Sequence, residues 1–94
     1  MRLSSKEIEN LKKTLESIDC NAKLYLFGSR TNNSKKGGDI DLLIISETMT
    51  KKELRSIRIN FFNEFGEQKL DIILDDGTLK DPFCKLIFKD AIEL

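Results

Sequence analysis

The sequence predicts an α/β fold, a small mixed β-sheet of three or four strands packed against helices. Three observations carry that expectation. Apolar runs of strand length, bounded by turn residues, stand at 23–27, 39–45 and 69–74. The stretches after Ser4, Thr50 and Asp81 instead repeat their apolar residues at helical spacing. The first two strands are joined by a loop alone and the last two by a helix, so the former pair is expected antiparallel and the latter parallel, with a right-handed crossover.

The first helix is expected over residues 5–17. Ser4 and Glu7 form a capping box, with Leu3 and Ile8 at the staple positions around it. Ile8, Leu11, Leu15 and Ile18 then fall on one face. The strand at 23–27 stops at Gly28-Ser29, and the polar run 30–38, rich in Asn, Lys and Gly, reads as a loop. In the second strand Leu42 to Ile45 is continuously apolar, which implies burial on both faces. Thr50 and Glu53 repeat the capping-box pattern, with Met49 and Leu54 as staple. Leu54, Ile57, Phe61, Phe62 and Phe65 supply the second helix's stripe, and Gly66 its stop. The strand at 69–74 closes in the turn Asp75-Asp76-Gly77. Asp81-Pro82 is an N-cap followed by proline at the first helical position, and Phe83, Leu86, Ile87 and Ala91 are expected to dock this last short helix. Tyr25 is expected to be buried.

The 94 residues form one expected domain, 1–94, since domains cluster at roughly 100–150 residues. The 16 basic residues balance the 16 acidic ones, which argues against an indiscriminate polyanion binder, and direct nucleic-acid binding is not expected. Lys51, Lys52, Arg55 and Arg58 read as a solvated helix face. Histidine is absent, so a Ser-His-Asp triad, a histidine base and histidine metal ligands are excluded. Cys20 and Cys84 alone cannot build a structural zinc site and read as small packing residues with free thiols. With no secretory signal and no apolar run long enough to span a bilayer, the expected location is the cytoplasm.

Three aspartates carry the chemistry. Asp39 and Asp41 are two apart in a strand, so both project from one face, about 7 Å apart. Asp71 opens the third strand in the same manner and joins the pair if the strands are neighbours. Aspartates at strand ends also serve as solvated or turn-capping groups. Clustered like charges make more sense around a divalent cation, and Mg²⁺ prefers one or two carboxylates plus water and phosphate oxygens. Gly28 lets a phosphate approach the backbone, and the Ser29 hydroxyl and the amides after Gly28 are donors for anionic oxygens. Arg30, Lys35 and Lys36 add positive charge.

Gly28-Ser29, nine residues, and then Asp39-Ile40-Asp41 resembles the signature of the DNA polymerase β-like nucleotidyltransferase superfamily. The stretches around it, with Lys69-Leu70-Asp71-Ile72-Ile73, look like its small prokaryotic branch, the minimal nucleotidyltransferase (MNT) domains. The loop is slightly shorter than that family's usual spacer, and Gly38 stands where a serine is common. The resemblance implies ATP as nucleotide substrate with two Mg²⁺ ions. Asp39 and Asp41 would bind both metals and Asp71 the one beside the attacking hydroxyl, while Gly28, Ser29 and Arg30 would hold the triphosphate. It further implies an acceptor held by this domain, by a dimer mate or by another protein. The family's habit is a HEPN-type toxin partner, neutralised by AMP transfer to a tyrosine or by binding alone. A non-catalytic antitoxin and a phosphate- or metal-binding regulator are the competing readings.

Overall fold

The computed structural model describes residues 3–28, 39–67 and 69–94, with the side chains of Asp39 and Lys69 also outside the description. The elements run α1 (Ser5–Ile18), β1 (Lys23–Phe27), β2 (Asp39–Ile45), α2 (Lys51–Phe65), β3 (Lys69–Asp75), α3 (Pro82–Asp90) and β4 (Ile92–Glu93). The four strands form one sheet in the order β3-β2-β1-β4. β1 pairs antiparallel with β2, and β2 parallel with β3, as the connections required. β4 adds two residues antiparallel to β1, opposite Tyr25 and Leu26. The fold is the small mixed-sheet α/β architecture that the sequence predicts.

Strand alternation divides the sheet into two faces. Leu24, Leu26, Ile40, Leu42, Ile44, Leu70 and Ile72 join Leu11, Leu15, Leu54, Ile57 and Phe61 from α1 and α2 in one buried cluster. Ile40, Leu42, Ile44 and Phe61 are fully buried, each burial worth about 1.5–3 kcal/mol. Leu43 is also fully buried, though it faces the other way, so both faces of β2 are covered. The stripe of α2 behaves as expected, with Phe61 in the core, its ring 4.9 Å from that of Phe65.

Local chemistry sets most element boundaries. The Glu7 amide donates to the Ser4 hydroxyl oxygen at 3.2 Å, and the Ser4 amide to the Glu7 carboxylate at 2.9 Å, completing the capping box of α1. Asp81 caps α3 by accepting from the Phe83 amide at 2.9 Å. Gly66 ends α2 with φ of 84°. The expected box at Thr50 forms differently. The Thr50 hydroxyl donates to the Glu53 carboxylate at 2.6 Å, and its oxygen caps no backbone amide.

Two expectations are corrected. Phe83 and Leu86 do not dock α3, since they are 51% and 67% exposed. Cys84 is buried instead and the Phe88 ring stands edge-on to Tyr25 at 5.1 Å, so the docking stripe is Cys84, Ile87, Phe88 and Ala91. That is the i, i+3, i+4, i+7 spacing of a packed helix face, with a thiol as its first member. Cys20 is exposed and packs nothing, because it sits in the turn after α1.

Candidate active site

The parallel pairing of β2 and β3 decides where the acids stand. Asp41 lies opposite Asp71 in register, and Phe27 of β1 lies opposite Asp41 on the other side. Register partners point to the same face, so Phe27, Asp41 and Asp71 form a row across three strands spaced about 4.8 Å apart. The row lies on the face away from α1 and α2, since Ile40 and Leu42, which flank Asp41, enter the core on the opposite side. Asp41 is half-buried on the interior strand and Asp71 is exposed on the edge strand. The backbone of Asp39 is the first residue of β2, two residues before Asp41.

Gly28 completes the site from β1. Its φ is 77°, a conformation L side chains rarely adopt. A Cβ there would meet the Asp41 carboxylate, 2.5 Å from Oδ2 and 3.2 Å from Cγ. The Gly28 backbone therefore lies directly against the acid, and only glycine allows that approach without strain. The expected roles of Ser29, Arg30, Lys35 and Lys36 fall on residues outside the described ones.

The donor set suits a hard cation. Two carboxylates in register repel each other, and oxygen ligands of this kind fit Mg²⁺ or Mn²⁺ better than zinc. Among the described residues no three His, Cys, Asp or Glu side chains stand together as a metal site, and the expected third ligand, the Asp39 side chain, is not among them.

A cavity of about 530 Å³ opens at the other end of the strands, lined among others by Asp19, Tyr25, Ser46, Leu79 and Phe88. Of the acids that line it, Asp19 is already engaged. Asp19 accepts from the Ser46 hydroxyl at 2.5 Å, the Asn21 amide at 3.0 Å and the Thr48 hydroxyl at 3.2 Å. These bonds hold its carboxyl below the ordinary value, the Ser46 bond foremost. Asp19 ties the end of α1 to the end of β2, a joint between residues 27 and 29 positions apart that local sequence patterns do not reveal. Phe27, the half-buried last residue of β1, is the neighbour of Asp41 on the site face, and strand alternation is the signal that places it there.

The arrangement defines a class of protein, a small α/β domain whose mixed sheet presents paired carboxylates beside a tight glycine turn. Within that class, the chain belongs to the nucleotidyltransferase domain family, whose model matches residues 8–93. Comparison with curated proteins returns no match. Membership makes nucleotidyl transfer the general activity and a nucleotide the substrate. Among the described residues no helix is long and apolar enough to cross a membrane.

Proposed function

We propose that this is a Mg²⁺-dependent nucleotidyltransferase of the MNT type that transfers AMP from ATP to a hydroxyl, a tyrosine of a HEPN-type toxin partner, and so acts as an antitoxin. The observation that supports the reading is the in-register pair Asp41–Asp71 beside Gly28. Asp39, Asp41 and Asp71 would hold the cations, which when bound lower the pKa of an attacking hydroxyl and offset charge on the phosphates. Gly28 and Ser29 would hold the triphosphate tail, and Arg30 would add positive charge for it. The acceptor oxygen bonds to the α-phosphorus as the bond to the bridging oxygen breaks and pyrophosphate leaves. The hydroxyl proton passes to a carboxylate oxygen of Asp71, which is exposed and hands it to solvent.

The partner supplies the positioning of the acceptor. Holding a reactant in register is worth up to about 7–11 kcal/mol in favourable cases, so small hydroxyl compounds are expected to be poor acceptors for the protein alone. The test is incubation with ATP, Mg²⁺ and a HEPN-type partner, followed by mass spectrometry. The partner should gain the mass of one or more AMP groups, and the Asp39→Asn/Asp41→Asn variant should leave it unmodified. If that variant neutralises the partner as well as the wild type does, and no mass is gained in either case, the domain acts by binding alone.

A further inference from the structure

The outer face of α2 carries a groove of about 600 Å³ lined by Lys51, Lys52, Arg55, Arg58, Ile59 and Phe62. Lys51, Lys52 and Arg55 are exposed, and Ile59 is 53% exposed. Among the described residues none of these four cations lies within ion-pairing distance of a carboxylate, the recorded pair being Lys13–Glu9 on α1. The acids of α2 are hydrogen-bonded elsewhere, Glu53 to the Thr50 hydroxyl and Glu64 to the Asn10 side-chain Nδ2, with Lys52 acting on the Glu53 carboxylate through its charge alone.

This placement works against the helix that bears it. Lys51 and Lys52 occupy the first turn, where the helix dipole disfavours positive charge. Lys51 and Arg55 are four apart, and Lys52–Arg55 and Arg55–Arg58 three apart, so the cations repel along the surface. Arg58 is also held in place, its Nε donating to the Leu70 carbonyl of β3 at 3.1 Å. A chain of zero net charge thus gathers four cations where they cost helix stability.

We propose that this face docks an acidic and apolar segment of a partner protein, its carboxylates on Lys51, Lys52, Arg55 and Arg58 and its apolar side chains on Ile59 and Phe62. Charge complementarity requires an anion at one end of the groove. The order of residues along the axis selects a peptide over a nucleic acid. The cations span residues 51–58, about 10 Å of helix, and the surface then turns apolar. A polynucleotide repeats its charge evenly and stacks its bases on exposed aromatic faces, whereas the exposed apolar residue here is the aliphatic Ile59, and Phe62 is half-buried against the core. A protein segment can place acids and then apolar residues in that order.

The surface is separate from nucleotidyl transfer, and the test needs no nucleotide. A fluorescent peptide with a block of glutamates followed by alternating leucines and serines is titrated by anisotropy, beside polyglutamate and single-stranded oligouridylate of equal charge. The acidic and apolar peptide should bind tightest. Lys51→Glu/Arg55→Glu should weaken it roughly tenfold or more, and Ile59→Ser should weaken it while leaving polyglutamate binding unchanged. Thermal melts guard against misfolding, since replacing the first-turn cation by an acid should hold or raise the melting temperature. Oligouridylate binding as tight as the peptide's would overturn the proposal in favour of nucleic acid. Absence of peptide binding, or affinity unmoved by the variants, would also overturn it, while the reading of Asp41 and Asp71 would stand untouched.

Discussion

A Cβ placed on Gly28 would lie 2.5 Å from Oδ2 of Asp41, so the end of one strand and the acid of the next occupy a single space. The glycine permits the turn, and the turn sets how close backbone comes to carboxylate. Sequence order separates these residues by the whole of the polar loop, and antiparallel pairing of β1 with β2 rejoins them.

Gly28→Ala is therefore expected to act twice. Alanine at positive φ costs about 1 kcal/mol or more, and the contact forces the Asp41 side chain aside. A total loss of about 1–3 kcal/mol in urea unfolding is expected, together with loss of transfer activity. In Gly28→Ala/Asp41→Ala the contact contribution should be recovered and the φ contribution retained. Additive losses in that double variant would mean that the two residues do not share the space.

The caps offer a paired comparison. Ser4→Ala removes a formed capping box and should cost about 1 kcal/mol, lowering the melting temperature by roughly 4–8 °C in a domain of this size. The Thr50 hydroxyl accepts from no helix amide, so Thr50→Ala should cost less than half as much. Equal losses from the two changes would show that the Thr50–Glu53 bond is worth a full cap.

What sequence could and could not reveal follows the range of the forces involved. Ser4, Gly66 and Asp81 act within one helical turn, and each marked its boundary correctly. The strand faces followed from alternation, and the parallel pairing from the helical connection, which together put Asp71 beside Asp41. The face of α3 was misread because the nine-residue helix carries apolar side chains nearly all round. Large size favoured Phe83 and Leu86, but the sheet accepted the smaller Cys84 with Phe88, which fit beside Tyr25. β4 was foreseen only as an open fourth strand, since two residues carry no periodicity. The Asp19–Ser46–Thr48 joint was invisible because it is purely tertiary.

The two thiols should report the corrected packing. Cys20 is exposed and should react promptly with a thiol reagent in the native protein. Cys84 is buried, and burial pushes its thiol pKa up, with the carboxylates of Asp75 and Asp81 adding to the shift. One fast equivalent and one released only on unfolding are expected. Two fast equivalents would mean that α3 does not rest on the sheet as described.

Asp19 sets an acid limb to stability. Its folded pKa is lowered, first by the Ser46 hydroxyl, then by the Asn21 amide, with a smaller contribution from Thr48. A depressed folded pKa gives stability that is present above the unfolded value, about 3.9, and lost as pH falls through the folded value. Urea midpoints measured downward from about pH 6 should therefore fall below about pH 4, and Asp19→Asn should flatten that fall. Ser46→Ala should do the same in part. A slope unchanged by either substitution would assign the acid limb to other carboxylates.

Asp71→Asn separates a catalytic carboxylate from a structural one. Asp71 stands in register with Asp41 and is exposed, so neutralising it removes a like-charge opposition worth about 0.2–1 kcal/mol without leaving a buried group unpaired. Without divalent ions the variant's melting temperature should equal or slightly exceed that of the wild type. Mg²⁺ with ATP should raise the wild-type value by mass action and raise the variant's less, because one ligand is lost. Turnover with the partner should drop by about 10²–10⁴-fold, the range for removing a positioned proton acceptor. A variant that melts lower in the absence of cations would make Asp71 part of the fold's own bonding. A variant that keeps full turnover would move the proton acceptor elsewhere in the site and leave Asp41 as the acid on which the chemistry turns.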